Sequence, residues 1–111
     1  MNNLSGFAKE VAEKYRETLS TLTFNNKIVI NTLTEIAKEE VKYAEVVTIV
    51  IEDRLKRVKP DGMLPLMYLI DSICKNIQGP YNELFQQNLV SNFSHVFQAS
   101  NEKVRFVHDY P

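Results

Sequence analysis

The side chains that could do chemistry in this chain gather on one short stretch, residues 65–76, where four unlike groups recur at helical spacing. At 100° per residue, an aromatic, a carboxylate, a hydroxyl and an ammonium fall within a wedge about 100° wide: Tyr68, Asp71, Ser72 and Lys75. Such a stripe can hold an extended peptide through hydrogen bonds while an aromatic or proline packs beside Tyr68. The alternative, which the pattern alone favours, is a solvated face on which Asp71 and Lys75 form an ordinary i,i+4 ion pair.

Residues of the catalytic kind are sparse. Neither His95 nor His108 has a partner at the spacing of a His-Glu-x-x-His metal site, and the chain has no Gly-rich phosphate loop and no Gly-x-Ser-x-Gly elbow. Cys74 falls on the apolar side of its helix, where thiols are usually inert core fillers. We therefore predict a binding domain that is not an enzyme, with no catalytic residue, cofactor or metal.

Two further segments could meet an anion. Residues 54–59 hold four cations, which could bind phosphates or could complement the dipole at the end of a helix. The segment Asn25-Asn26-Lys27 could bind an anion at the start of a helix, where free N–H groups and a cation converge, or could simply cap that helix. In both segments the pattern alone favours the structural role.

The elements that must position these residues are helices in one soluble domain. The 111 residues are 44% hydrophobic and 24% charged, with a net charge of −1, three glycines and four prolines, which argues against a turn-rich β-protein and against a global attraction to nucleic acid or membrane. The single cysteine favours a reducing compartment. The first residues lack the apolar run of a secretion signal, and no apolar stretch approaches the roughly 20 residues of a membrane span. We expect an intracellular protein.

Helical spacing predicts three helices in the first half of the chain. The first runs over residues 4–19, and a loop over residues 20–26 follows, with Leu22 and Phe24 as core plugs. The second helix is capped by Asn25 or Asn26. The third segment, residues 42–59, contains a β-branched run that suits a buried strand, but no second strand could pair with it, so we predict a helix.

Proline and glycine divide the second half. Pro60-Asp61-Gly62 breaks the chain, and Pro65 is expected in the first turn of a fourth helix. Gly79-Pro80 ends that helix and starts a fifth, Tyr81 to Gln98, whose broad apolar face is formed by Leu84, Phe85, Asn88, Phe93, Val96 and Phe97. Residues 100–103 look like the cap of a sixth helix. Short connections between helices predict an all-α bundle or helical solenoid.

Two sequence segments resemble a known family, and this resemblance favours the functional interpretation of the polar residues over the structural one. Residues 22–27 (LTFNNK) and 64–76 (LPLMYLIDSICKN) are similar, at a matching separation, to the RNA polymerase II C-terminal-domain-interacting domain (CID). The likeness is strongest to the CID of the Pcf-type subunit of the mRNA cleavage and polyadenylation machinery. Asp71-Ser72-Ile73 with Lys75-Asn76 is its most specific part, and the likeness spans residues 7–101. It implies a nuclear protein and a right-handed superhelix of eight helices, related to the ENTH and VHS domains of vesicle adaptors.

The resemblance also implies a peptide-binding groove between the second, fourth and seventh helices. Its ligand would be the Tyr-Ser-Pro-Thr-Ser-Pro-Ser repeat of RNA polymerase II, usually phosphorylated at its second-position serine. Asp71 would hydrogen-bond the tyrosine hydroxyl of the repeat. Tyr68 and Ser72 would line the pocket for that tyrosine and its neighbouring proline.

On the second helix, the resemblance implies three further contacts. Asn26 and Lys27 would meet the backbone or the phosphate of the peptide, and Ile30 would form an apolar wall. With the fourth-helix residues, this completes a predicted site of six residues: Asn26, Lys27, Ile30, Tyr68, Asp71 and Ser72.

The pattern departs from the family after about Arg105, since residues 106–111 do not resemble it and the seventh and eighth helices are not found. We therefore expect a partial CID over residues 1–105, with five to six of the eight helices, and a divergent tail over 106–111. We also expect weakened peptide binding and self-association through the incomplete C-terminal end. The expected partners are the polymerase repeat peptide and cleavage and polyadenylation subunits, with a weak RNA contact left open and no membrane.

Two alternatives remain at this point. One is a vesicle-adaptor-type domain of the same superhelical class, which would use the cations of residues 54–59 to bind lipid headgroups or cargo tails. The other is a truncated remnant without independent function.

Overall fold

Six α-helices and a short 3-10 turn fill nearly all of the chain in a computed structural model, which describes the backbone of residues 4–109 and the side chains of residues 6–99. The helices are α1 (Leu4–Leu19), α2 (Lys27–Glu39), α3 (Ala44–Arg57), α4 (Pro60–Asn76), α5 (Pro80–Gln87) and α6 (Leu89–Asp109), and the 3-10 turn (Val41–Tyr43) leads into α3. The described backbone contains no strand, so the predicted all-α fold is confirmed. No helix among the described residues combines the length and the hydropathy needed to cross a bilayer.

The start of the chain folds largely as predicted. Helix α1 has the expected bounds, and Asn26 is the N-cap of α2, since its Oδ1 accepts from the N–H groups of Ile28 at 3.0 Å and Val29 at 3.3 Å. Leu22 is buried, but the prediction for Phe24 is wrong, because its ring is exposed. The chain bends at Phe24, where the N–H of Asn26 donates to its carbonyl at 2.7 Å, and the bend carries the ring outward.

The β-branched segment forms the middle of a helix, as predicted. Helix α3 is the central element and packs against α1, α4, α5 and α6. Val47, Ile51 and Leu55 lie four residues apart on one face of the helix and are fully buried. Burial of that face outweighs the modest helix penalty of β-branched side chains.

Helix α4 begins a turn earlier than predicted. Pro60 occupies its first position, where a missing N–H is tolerated, and Pro65 therefore lies inside the helix rather than in its first turn. The buried Pro65 ring offsets part of the lost backbone hydrogen bond. Gly62 lies close to the preceding connection, since a Cβ added there would lie 3.1 Å from the Cβ of Val58 and would require a small shift of that side chain.

The predicted fifth helix is wrong, because it is two helices. Gly79, with φ 114° and ψ −136°, ends the connection after α4 in a conformation that favours glycine, and α5 starts at Pro80. The chain breaks again at Asn88. There the Asn88 side-chain amide donates to the buried Glu52 carboxylate of α3 at 3.0 Å, and the Asn92 amide donates to the same carboxylate at 2.7 Å.

The break at Asn88 shifts the helical register, which overturns part of the predicted apolar face. Helix α6 turns Asn92 inward with the half-buried Val96, whereas Phe93 and Phe97 face outward. The predicted cap at residues 100–103 is also wrong, since α6 continues from Leu89 to Asp109. Residues 110 and 111 of the predicted tail, and the side chain of His108, lie outside the described residues. The domain boundary after Arg105 stays a prediction.

Two buried tyrosines fix α2 within the core. The Tyr15 hydroxyl of α1 donates to the carbonyl of Leu33 at 3.1 Å, and the Tyr81 hydroxyl of α5 donates to the carbonyl of Ala37, one turn later, at 2.6 Å. Burial raises the pKa of both phenols above the ordinary value of 10.0; Tyr81 adds to the shift of Tyr15, and the Glu40 charge adds to that of Tyr81. Both phenols are therefore hydrogen-bond donors at physiological pH.

Candidate functional site: the cleft between α2 and α4

Helices α2 and α4 pack side by side. Thr34 Oγ1, near the middle of α2, and Ser72 Oγ, one turn before the end of α4, lie 2.8 Å apart. Tyr81, five residues after the end of α4, donates to the carbonyl of Ala37 near the end of α2. We infer that the C-terminal ends of α2 and α4 lie at the same end of the pair, so the two helices run in the same direction. Counting back from the Thr34–Ser72 contact at equal rise, we infer that Ile30 lies level with Tyr68, and the start of α2 level with residues 64–65.

A cleft of about 350 Å³ lies between the two helices. Its lining is mostly polar and consists of Asn31, Thr34, Glu35, Lys38, Ser72, Asn76 and Ile77. The predicted site residue Ser72 thus lies in the cleft itself, together with four residues of α2 that a peptide lying in the cleft would touch.

The hydroxyls in this cleft form a directed chain of hydrogen bonds. The Thr34 hydroxyl donates to the Ile30 carbonyl at 2.8 Å, which uses its single hydrogen, so Ser72 is the donor in the 2.8 Å contact with Thr34. The Asn76 amide in turn donates to the Ser72 carbonyl at 2.8 Å and to Ser72 Oγ at 3.4 Å. Ser72 can therefore accept a hydrogen bond from a ligand but has no hydrogen left to donate to one.

The polar stripe of α4 faces outward, as its spacing predicted. Tyr68 is exposed, and Asp71 and Lys75 expose 57% and 73% of their side chains. Asp71 Oδ2 and Lys75 Nζ lie 2.9 Å apart, so the ion pair of the alternative interpretation is also present. The two interpretations are compatible, because Asp71 Oδ1 accepts no hydrogen bond from the described residues.

The predicted site residues of α2 have different surroundings. The Asn26 Oδ1 accepts the two hydrogen bonds that cap α2, which is the structural role that the sequence pattern favoured. Lys27 is exposed and forms no ion pair with any described side chain. Ile30 is buried in the core cluster, so it could reach a ligand only through its edge.

The other candidates from the sequence show structural roles. The basic segment forms the last turn of α3 and the connection after it, and Arg57 Nε pairs with Asp53 Oδ2 at 3.0 Å. Cys74 is half-buried, and burial together with the nearby Asp71 charge raises the pKa of its thiol, so the nucleophilic thiolate is disfavoured. Within the described part of the chain, no three His, Cys, Asp or Glu side chains cluster as metal ligands would.

Sequence reasoning assigned α2 to the site but missed the α2 residues that line the cleft, which are Asn31, Thr34, Glu35 and Lys38. Lys27, Asn31, Glu35 and Lys38 recur at helical spacing, so the same periodicity that located the apolar face could have located this polar stripe. The hydrogen bond between Thr34 and Ser72 carried no such signal, since it joins residues that are 38 positions apart.

Comparisons with known proteins agree with one another. A family model described as "CID domain" matches residues 13–108. "Polyadenylation and cleavage factor homolog 11" of Caenorhabditis elegans is 41% identical over 99 residues, which is 87% of this chain and 12% of that protein. "Protein PCF11" of Saccharomyces cerevisiae is 33% identical over 95 residues, which is 86% of this chain and 15% of that protein. The chain thus spans between 12% and 15% of the length of these relatives.

A solved structure described as "crystal structure of the rpr of pcf11" has the same fold. The two structures superpose with a TM-score of 0.77 at 29% sequence identity, over 87% of this chain and 76% of that chain. The helical arrangement described above is therefore one that an experimentally determined relative also adopts.

Proposed function

The chain belongs to the CID domain family, as its motifs predicted, and on that premise we propose that it is a non-catalytic module that binds the phosphorylated heptad-repeat tail of RNA polymerase II. The names of its relatives support a role in mRNA 3′-end cleavage and polyadenylation, and so a nuclear location. Other subunits of that machinery are proposed as further partners, and a weak contact with RNA stays a prediction.

The observation that carries this proposal is the outward-facing stripe of α4 beside the polar cleft. A tyrosine hydroxyl of the repeat donates to Asp71 Oδ1, while a proline of the repeat packs on the exposed Tyr68 ring. Ser72 offers only a lone pair, so it accepts a backbone N–H from the peptide. Such a surface suits a ligand that combines a phenol, prolines and free backbone donors.

Helix α2 carries one exposed lysine near each of its ends, and Glu35 lines the cleft between them. Lys27, at its N-terminal end, is exposed, and Lys38 lines the cleft towards its C-terminal end. A phosphoserine near either lysine gains a charge-assisted contact. In this proposal Asn26 acts mainly by capping α2 and so presenting Lys27, and Ile30 supports the groove floor from the core side.

A peptide titration tests the central contact. Titrating wild type and Asp71→Ala against a labelled, phosphorylated heptad peptide should show affinity falling by about 5–150-fold in the variant, because a hydrogen bond from a largely desolvated phenol to a carboxylate contributes roughly 1–3 kcal/mol. Asp53→Ala is the matched control, since Asp53 is also an exposed carboxylate in an i,i+4 pair, at 3.0 Å from Arg57. Indistinguishable, non-saturating curves for wild type and Asp71→Ala would contradict the proposal.

A second peptide assigns the effect to the phenol. A heptad with phenylalanine in place of tyrosine should bind wild type more weakly than the parent peptide. The same change should have little effect on Asp71→Ala, since the two changes remove one shared hydrogen bond. Additive losses would place the tyrosine of the repeat elsewhere on the surface.

A further inference from the structure

Glu35 of α2 carries the only negative charge among the residues that line the α2–α4 cleft. It is exposed, and its carboxylate forms no ion pair or hydrogen bond with any residue in the described part of the chain. The neighbouring carboxylate of Asp71 is by contrast paired with Lys75 at 2.9 Å. Glu35 therefore presents a free acceptor and an unpaired negative charge to a ligand that enters the cleft.

The hydroxyl groups of the cleft cannot donate to a phosphate. Thr34 uses its hydrogen on the Ile30 carbonyl, and Ser72 uses its own on Thr34. The Asn76 amide already donates to the carbonyl and the hydroxyl oxygen of Ser72. A phosphate group needs donors for its acceptor oxygens and carries about −1.5 to −2 charges at pH 7, so this part of the cleft disfavours it. An unmodified hydroxyl, which can donate, suits the same surroundings.

We propose that Glu35 determines which form of the peptide binds: its carboxylate accepts a hydrogen bond from an unmodified serine or threonine hydroxyl of the peptide and excludes the phosphorylated form of that residue. The inference rests on the proposed function, since it concerns a peptide in the same cleft. Phosphorylation removes the hydroxyl hydrogen and places a like charge beside the carboxylate, so both changes oppose binding. The module thus requires one residue of its ligand to be unmodified.

The two lysines of α2 differ in their distance from Glu35. Lys38 follows Glu35 by three residues, which is about 4.5 Å along the helix axis, whereas Lys27 precedes it by eight residues, or about 12 Å. The negative charge of Glu35 therefore opposes a phosphate at Lys38 much more than one at Lys27. An extended peptide spans about 12 Å with three to four residues, so we expect a phosphate bound at Lys27 and the excluded position to be that far apart in the peptide sequence.

Titration of the full chain with a set of labelled peptides tests the proposal. Each peptide contains one heptad repeat with its flanking residues and a single tyrosine, so that it binds in one register. One peptide is unmodified, and each of the others carries a single phosphate on a different serine or threonine. Wild type should bind the peptide with the excluded phosphate about 5–10-fold more weakly than the unmodified peptide, because an exposed carboxylate repels it across a partly screened groove.

The variant Glu35→Gln should shift two of these affinities in opposite directions. The unmodified peptide should bind about twofold more weakly, because a neutral amide oxygen is a weaker acceptor than a carboxylate. The peptide with the excluded phosphate should bind about fivefold more tightly, because the like charge is gone. The matched control is Glu39→Gln, which removes an exposed carboxylate of the same helix that does not line the cleft and should change neither affinity.

The outcomes separate this inference from the proposed function. Peptides that saturate wild type but all respond equally to Glu35→Gln would overturn the inference and leave the proposed function standing, whereas a wild type that no peptide saturates would overturn both. In about 0.5 M NaCl the penalty for the excluded phosphate should shrink, because salt screens the repulsion. A penalty that neither salt nor Glu35→Gln reduces would show that the shape of the cleft, rather than the Glu35 carboxylate, excludes the phosphate.

Discussion

The α2–α4 cleft and the outer face of α6, where Leu89, Val90, Phe93 and Phe97 lie, are both exposed, yet their chemical character differs. The cleft consists of hydroxyl, amide and charged groups. A series of hydrogen bonds runs from Asn76 to Ser72, from Ser72 to Thr34 and from Thr34 to the Ile30 carbonyl, and it fixes which of these groups donate and which accept. The outer face of α6 has aromatic and aliphatic groups, which form no directional contacts. A polar surface selects a ligand by the pattern of its hydrogen-bond donors and acceptors. An apolar surface gains free energy from any partner that buries it, with little selectivity.

The two regions also differ in what anchors them to the core. Helix α2 is held by two buried phenols, which are neutral donors to its carbonyls. The start of α6 is held by one buried carboxylate, that of Glu52, which accepts from the amides of Asn88 and Asn92. Since the Glu52 carboxylate accepts from two amides while each phenol donates to one carbonyl, removing the carboxylate breaks two hydrogen bonds at once, and the α6 anchor is the more vulnerable of the two.

The largest expected effect follows from removing that carboxylate. Glu52→Ala leaves the amides of Asn88 and Asn92 without their acceptor, and Asn92 is only 5% exposed, so water does not replace it. The free energy of unfolding should fall by about 2–4 kcal/mol, from unsatisfied donors and lost packing together. Urea denaturation measures the loss, and hydrogen exchange should show it concentrated in α5 and α6 rather than in α2.

The control for this prediction lies on the same helix. Glu45→Ala removes an exposed carboxylate from the first turn of α3 and should change stability by no more than about 0.5 kcal/mol. A loss below about 1 kcal/mol in Glu52→Ala, or uniform deprotection of all helices, would show that the junction does not depend on this carboxylate.

A smaller effect follows from the anchors of α2. Tyr81→Phe removes the buried hydrogen bond to the Ala37 carbonyl and should lower the free energy of unfolding by about 1–1.5 kcal/mol at neutral pH. Urea denaturation at pH 7 checks this, and Tyr68→Phe, on an exposed ring, is the control. A Tyr81→Phe protein as stable as wild type would mean that the shape of the ring, rather than its hydroxyl, holds α2.

The same anchors predict alkaline unfolding. The folded-state pKa values of Tyr15 and Tyr81 lie above the unfolded value of 10.0, so stability is complete below pH 10 and falls above it, where only the unfolded chain releases these protons. Two such groups lower the free energy of unfolding by about 2.7 kcal/mol per pH unit. The pKa of Cys74 is also raised, so its thiol too makes stability fall with rising pH; a Cys74→Ser background isolates the phenols, and Tyr81→Phe should halve the slope.

Much of this fold was predictable because the spacing of apolar residues along the sequence indicates which face of each helix is buried. The bounds of α1, the Asn26 cap and the helical state of the β-branched run in α3 follow from local spacing and from the lack of a partner strand. The break at Asn88 was not predictable, since its cause is a carboxylate 36 residues earlier in the chain. Once that break was missed, the register error placed Phe93 and Phe97 in the core instead of on the surface.

The candidate site divides in the same way. The outward stripe of Tyr68, Asp71 and Lys75 follows from helical geometry alone. Ser72 donates its hydroxyl hydrogen to Thr34 of α2 and so cannot donate it to a ligand. This contact depends on how the two helices pack and cannot be inferred from local sequence. Local pattern identified which groups are available, and only the packing determined which of them can donate or accept.

The smallest effect concerns the Asp71–Lys75 pair, and it decides how the α4 stripe is to be understood. Because both side chains are largely exposed, Lys75→Ala should lower the free energy of unfolding by only a few tenths of a kcal/mol, and 0.5 M NaCl should erase most of that difference. Urea denaturation at two salt concentrations measures this, with Arg57→Ala as the equivalent break of the other exposed pair.

If Lys75→Ala lowered the free energy of unfolding by more than about 1 kcal/mol, the Asp71–Lys75 ion pair would contribute substantially to stability. A loss of a few tenths means that the fold gains little from a carboxylate at this position. Any large effect of Asp71→Ala on peptide affinity must then come from the ligand side, because neither folding stability nor the Lys75 contact could account for it.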